Sequence, residues 1–279
     1  MKVAVIPHMI SRDAVSLLES SGYEISYNDK NGKIEKDELI ELIKDVDGVI
    51  AGSELYDKDV IDAATNLKCI SRIGESKRNI DTVASQRDNL NIYTVSPSIK
   101  NNYLSEFVAA ALFSTCYDIP SKMSTSSSSL RNLKVLIVGY NDLTDGVISI
   151  IKPSVAMIKV FDEESEVPIE YYCSIRKQLK ETDALIILDK KQKNLNYDLL
   201  KNLKKNSLVI DIFGAISGNI GRLHSEGFVK KYWTAAGNKA DFDPSFAYVT
   251  KMSNFETVQF KKDLEYEAVN NLITKLGGQ

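Results

Sequence analysis

Cysteine and histidine are scarce in this chain. Cys69, Cys116 and Cys173 are odd in number and far apart. Such a set offers no disulfide framework and no CxxC zinc pair, and it suits a reducing compartment. Only two histidines occur, His8 and His224. A His-rich metal site is therefore excluded, no metal is expected, and any histidine catalysis must use one of these two. No apolar run approaches the ~18 residues of a membrane span. Neither sign of charge dominates: 35 basic and 38 acidic residues leave −3. That balance argues against a dedicated nucleic-acid binder. The start, Met1 to Ile10, is too short for the apolar region of a signal peptide and reads as a first strand. The expectation is a cytoplasmic protein with no membrane or nucleic-acid partner.

What is present is ordinary for a folded protein. Of 279 residues, 43% are hydrophobic, and the length fits about two modest domains or one large one. Short apolar runs alternate with amphipathic stretches. Strands are expected at Val3–Pro7, Tyr23–Tyr27, Gly48–Ala51, Lys68–Arg72 and Asn91–Val95. Helices are expected after a Ser11 cap, around Leu39–Ile43 and around Val60–Ala64, with a weak one between the last two strands. Asp29 to Gly32 reads as a loop. This alternation implies a parallel sheet with right-handed crossovers.

Asn101–Tyr117 is apolar nearly all round and is expected to be buried or at an interface. Ser121–Ser129 is almost wholly Ser, Thr, Lys and Met and reads as a linker. After it the alternation restarts, with strands at Lys134–Gly139, Ile158–Phe161, Ala184–Leu188 and Leu208–Ile212 and a helix at Asp145–Ile151. The last segment, Phe255–Leu276, is amphipathic and is expected to pack back on the first domain.

The most informative stretch is Gly139, Tyr140, Asn141, Asp142, Leu143 and Thr144, which follows a buried strand and opens a helix. Asp162 follows another strand 23 residues after Gly139. That is the layout of a dinucleotide site: a tight turn, a helix N-terminus for the pyrophosphate and an acid for the ribose. The G-x-G-x-x-G fingerprint is reduced, however. Asn141 and Thr144 stand where the second and third glycines belong. Asp142 and Asp145 stabilise an empty helix N-terminus and repel a phosphate. Spacing alone leaves two readings open, a cofactor site and a purely structural turn.

Several stretches together resemble the D-2-hydroxyacid dehydrogenases, the family of phosphoglycerate and glycerate dehydrogenases. They are Asn66 to Gly74 followed by Asn79, Ile80 and Asp81; Ser105, Glu106 and Phe107; Leu130 to Gly139; and Lys152, Pro153 through Asp162. The resemblance implies an α/β chain in which a Rossmann nucleotide-binding domain is inserted into a smaller flavodoxin-like substrate domain. The substrate domain would be 1–98 with 257–279, and the nucleotide domain 99–256. It also implies a homodimer, a small-molecule ligand in the cleft between the domains, and a nicotinamide cofactor. Asp162 favours NAD over NADP, since a carboxylate repels a 2′-phosphate.

The family's reaction needs an arginine on the substrate carboxylate and a histidine paired with an acid. The histidine moves a proton while hydride passes to or from the nicotinamide. The resemblance places the arginine on Gly214, or on Phe213 if the alignment slips. It places the histidine on Asn254, the acid on Asp241 or Asp243, and the substrate loop on Gly74, Glu75 and Ser76. Gly214 has no cation and Asn254 no base. His8, after the first strand, and Arg72 are the substitutes at hand. His224, Arg222, Tyr171, Tyr172, Tyr232, Trp233 and the basic run from Lys190 to Lys193 read as packing or solvated surface, and Cys69 as a buried inert thiol. Two functional readings follow. One is a divergent NAD(P)-dependent oxidoreductase acting on a small 2-hydroxy or 2-keto acid. The other is a non-catalytic relative that serves as a metabolite-binding, regulatory or scaffold module; for the cofactor, the options are NAD, NADP or none.

Overall fold

The computed structural model describes every residue except 29, 31, 87–89, 120–128, 190, 192–193 and 278–279. Most of the expected linker, part of the Asp29–Gly32 loop and part of the Lys190–Lys193 run lie outside the described residues. The chain divides into two compact units, residues 1–100 with 257–279 and residues 101–256.

The first part of the chain runs β1 (Lys2–Val5), α1 (Arg12–Ser20), β2 (Glu24–Tyr27), α2 (Lys36–Ile43), β3 (Gly48–Ala51), α3 (Lys58–Ala63), β4 (Cys69–Arg72) and β5 (Asn91–Thr94). Capping decides where the helices begin. The Ser11 hydroxyl accepts from the Ala14 N–H at 3.4 Å, and Asp57 Oδ1 accepts from the Val60 N–H at 3.1 Å. The weak helix expected between β4 and β5 does not form among the described residues. Asp81 Oδ1 instead takes the N–H groups of Val83 and Ala84, a local turn that competes with helix.

Helix α4 (Pro97–Cys116) begins four residues earlier than its apolar pattern, at a proline suited to a first helical turn. Then follow β6 (Lys134–Val138), α5 (Asp142–Ile151), β7 (Met157–Phe161), α6 (Ile175–Leu179), β8 (Ala184–Ile187), α7 (Tyr197–Leu200), β9 (Ser207–Asp211), α8 (Ser217–Ser225), β10 (Val229–Thr234), β11 (Ala247–Val249) and α9 (Val258–Gly277). Strands β10 and β11 have no clear signal in sequence. Lys231 interrupts β10, and its charge is held by Asp118 at 3.2 Å and the Tyr248 hydroxyl at 3.0 Å. Tyr232 and Trp233 are both buried in this strand, so of the two roles expected for them they take the packing one.

All strand pairs are parallel. The first sheet has order β2-β1-β3-β4-β5, the flavodoxin-like order, and the second β11-β10-β9-β8-β6-β7. In the second sheet a further strand beyond β7 is reduced to a single bridge, Val160 to Tyr172. The fold is α/β, with a Rossmann-type unit inserted into a flavodoxin-like one. Helix α9 returns to the first sheet, where Val269, Leu272 and Leu276 meet Val3, Val5, Ile50 and Cys69. Helices α2 and α3 cover the opposite face through Leu39, Ile43, Val60 and Ile61. Central strands are therefore apolar on both faces, as β3, β8 and β9 show. Among the described residues, no helix is long and apolar enough to cross a membrane.

Candidate functional site

In doubly wound sheets, ligands sit at the C-terminal ends of the strands where strand order reverses. Those points are β1/β3 in the first sheet and β6/β8 in the second.

In the second unit, Gly139 ends β6 with φ +100, and a Cβ there would lie 2.7 Å from the Asp189 Cβ. Only glycine makes this turn. Asn141 then caps α5, its Oδ1 accepting from the N–H groups of Leu143 at 3.0 Å and Thr144 at 3.3 Å. This cap starts α5 at Asp142, three residues before the expected Asp145. Thr144 is fully buried; its hydroxyl donates to the Gly139 carbonyl at 2.8 Å and accepts from the Asn141 N–H. Asp162 takes the Tyr140 N–H on one oxygen and the Glu164 and Ser165 N–H groups on the other. Burial pushes its carboxyl up, but these backbone donors outweigh that and hold it below the usual range. Tyr140, Asn141, Leu143 and Asp162 are thus brought together, bonded to one another and to the backbone. These residues do not fit a pyrophosphate, because five of the six N–H groups from Gly139 to Thr144 already have acceptors.

At β9, Asp211 is fully buried. It accepts from the N–H groups of Ala215 and Ile216, both at 2.9 Å, and from the Tyr232 hydroxyl at 3.1 Å. Burial pushes its carboxyl up, against the pull of those donors. Sequence reasoning missed this group; its only signal was a carboxylate closing an apolar strand. The same turn gives Gly214 φ +70, and a Cβ there would meet the Ala236 Cβ at 3.0 Å. Asp241 Oδ2 accepts from the Asn238 N–H and Asp243 Oδ1 from the Ser245 N–H, so each closes its own local turn. Asn254 is exposed in a short 3-10 turn, Met252–Phe255. His224 lies in the last turn of α8. Its Nδ1–H donates to the Val229 carbonyl at 2.8 Å, and its ring stacks on Phe246 at 3.8 Å. It is a packing residue.

The first unit is different. His8, exposed after β1, lines a cavity of about 470 Å³ with Lys33, Ser53 and Glu54. A second cavity, of about 320 Å³, is lined by Met9, Ile10, Ser53, Arg72, Lys261 and Glu265 among others. Arg72 ends β4. Its Nε donates to the Gly52 carbonyl at 3.1 Å, and its Nη1 packs across Gly74, where a Cβ would displace the guanidinium. Among the described residues, neither terminal nitrogen of Arg72 has an acceptor. Glu265 is buried and accepts from the Ser11 N–H at 2.9 Å. Glu75 pairs with Lys100 at 3.7 Å, and the Ser76 hydroxyl accepts from the Arg78 N–H. Among the described residues, no three His, Cys, Asp or Glu side chains gather to hold a metal.

Comparison with known proteins agrees with this geometry. Residues 3–107 match the model of the D-isomer specific 2-hydroxyacid dehydrogenase catalytic domain. A protein of Staphylococcus saprophyticus named for 2-hydroxyacid dehydrogenase activity is 33% identical over 107 residues, 38% of this chain and 33% of that one. The chain spans about a third of the length of the curated relatives it matches. Solved structures share the fold along the whole chain. The NAD-dependent formate dehydrogenase of Staphylococcus aureus in complex with NAD has a TM-score of 0.73 at 16% identity, covering 100% of this chain and 96% of that one. NAD+-bound 3-phosphoglycerate dehydrogenase of Entamoeba histolytica scores 0.66 at 22% identity, covering 100% and 96%. D-lactate dehydrogenase of Escherichia coli scores 0.71 at 14%, covering 100% and 98%. Residues 3–107 thus resemble the D-isomer specific 2-hydroxyacid dehydrogenase catalytic domain, and the chain along its whole length shares the fold of solved dehydrogenases.

Proposed function

We propose that this chain is a divergent member of an NAD-linked oxidoreductase family, in which ordinary turnover of simple D-2-hydroxy acids is very slow or lost. In this reading the fold serves as a binding module for a small carboxylate. The observation that carries it is the pair Gly214 and Asn254. Carboxylate recognition by a fork needs an arginine, and Gly214 holds a left-handed backbone against Ala236. Proton transfer needs a group titrating near the working pH, and a carboxamide does not. Arg72, with its terminal nitrogens unmatched among the described residues, is the group we assign to the ligand's carboxylate. Asp162 disfavours NADP more than NAD, because the 2′-phosphate adds charge.

The test is a panel of glycerate, lactate, hydroxypyruvate, pyruvate and glyoxylate with NAD(H) and NADP(H), followed by nicotinamide absorbance. Turnover anywhere near the usual ~1–10³ s⁻¹ would overturn the reading. The same acids should raise the melting temperature of the wild type.

A homodimer belongs to this proposal, but α4 does not supply its motive. Leu104, Val108, Ala109, Ala111 and Leu112 are buried within the chain itself. The exposed Tyr117 and Ile119 that follow the helix support it instead, and light scattering at tens of micromolar checks it. The buried free cysteines fit a cytoplasmic setting.

A further inference from the structure

We infer that the β6–α5 turn is closed to the diphosphate of a nicotinamide dinucleotide, so that this chain holds neither NAD(H) nor NADP(H). The inference is independent of the catalytic reading above, which concerns Gly214 and Asn254.

A diphosphate binds a helix N-terminus by accepting hydrogen bonds from the backbone N–H groups of the turn and the first helical residues. Here five of the six N–H groups from Gly139 to Thr144 already donate inside the protein. Gly139 donates to the Phe161 carbonyl, Tyr140 to Asp162, Asn141 to Thr144, and Leu143 and Thr144 to Asn141. The Asn141 side chain holds the position an anion would take. A glycine there would leave backbone alone, which is what lets a pyrophosphate approach.

Charge acts in the same direction. Asp142 and Asp145 stand in the first turn of α5. The Asp162 carboxylate lies 2.8 Å from the Tyr140 nitrogen, and Asp189 packs against Gly139 from the end of β8. An incoming diphosphate would meet four carboxylates and lose the attraction of the helix dipole to its neighbours. No cation among the residues of the turn offsets them. The acids are also anchored: Asp162 by three backbone N–H groups, Asp145 by the Tyr140 hydroxyl at 3.4 Å, and Asp189 by the Lys191 N–H at 2.8 Å.

The experiment is titration calorimetry on the full chain with NAD+, NADH, NADP+, NADPH and ADP-ribose, each to about 1 mM, where a Kd near 100 µM would register clearly. No binding is expected. Saturable binding of any of them by the wild type overturns the inference, and if turnover is still absent it leaves the proposed function standing. The variant N141G/D142A/D145A should gain at least tenfold in affinity for NADH. Glycine is nearly as good a cap as asparagine, so α5 should persist, and circular dichroism checks this. A folded triple variant that gains nothing shows that these side chains do not close the turn and also overturns the inference. If the triple variant fails to fold, D142N/D145N keeps the Asn141 cap. It must then gain measurably at low salt, or the charge argument fails.

Discussion

The two sheet edges of this chain treat their polar groups in opposite ways. At the second edge, Asn141, Thr144, Asp162 and Asp211 engage the backbone donors around them. At the first edge, Arg72 directs a guanidinium with one engaged nitrogen into a cavity of about 320 Å³. The C-terminal edge of a parallel sheet is thus closed by internal hydrogen bonds in one unit and carries a guanidinium with unmatched terminal nitrogens, among the described residues, in the other. A turn whose donors are bonded inside the protein must break those bonds to take a ligand, whereas donors bonded to water exchange them at little cost. Satisfying the donors internally stabilises the fold and weakens the site.

The largest expected effect tests that comparison through catalysis. Loss of general acid–base help typically removes about 10² to 10⁴ in rate. Loss of the carboxylate fork is not independent of it, so the two factors should not be multiplied. Restoring the pair as G214R/N254H should recover little, because an arginine at φ +70 is strained and meets Ala236. A double variant that turns over lactate or glycerate at ordinary rates would show the second edge to be open. If the wild type itself proves active, H8A should abolish that activity, and survival would remove His8 as the substitute base.

Stability gives the next effect. D211A leaves two backbone N–H groups and the Tyr232 hydroxyl without their acceptor, which should cost about 3 kcal/mol in urea unfolding. D211N should cost less and should alter the pH profile. The folded state holds the Asp211 proton to higher pH than the ordinary 3.8. Its stabilising contribution is therefore full below 3.8 and lost as pH rises through the raised value. The gap between wild type and D211N should widen as pH falls from 7 toward 4; a constant gap would refute the assignment.

At the first edge, R72Q should abolish the thermal shift that small carboxylates produce, a shift of RT ln(1 + [L]/Kd) in the wild type. An undiminished shift would move the ligand away from Arg72. The smallest effect concerns two buried thiols, Cys69 in the core between the first sheet and α9 and Cys173 in the core of the second unit. Burial pushes the Cys69 thiol up to about 12 and the Cys173 thiol to about 11. Neither should react with a thiol reagent at pH 7.5 unless the chain is unfolded, because the thiolate is the nucleophile. Prompt labelling of the native protein, read by mass spectrometry, would show a looser core.

Much of the fold was legible because apolar periodicity and caps are local. Gly48–Ala51 is a strand with its expected bounds, and Ser11 caps the helix it was expected to cap. The missed elements depend on distant partners. β10 carries Lys231 in its middle, and nothing near it in sequence reveals that Asp118 and Tyr248 neutralise it. In the site, Gly139, Asn141 and Asp162 were visible by spacing, whereas Asp189 and Asp211 were not. Their meaning lies in contacts to another strand or to the next turn.

The sequence by itself determined the alternation of strands and helices and the return of the final helix. Those follow from side-chain period and turn chemistry, and the resemblance alone sets Gly214 and Asn254 at the expected cation and base positions. Only the tertiary structure decided whether the remaining polar groups were engaged. Asn141 is by type a cap or a ligand contact, and Asp162 a ribose acid or a backbone acceptor. Which role each takes depends on the position of N–H groups set by β6, β7 and α5 together, because a hydrogen bond needs its partner within about 3 Å and correctly aimed.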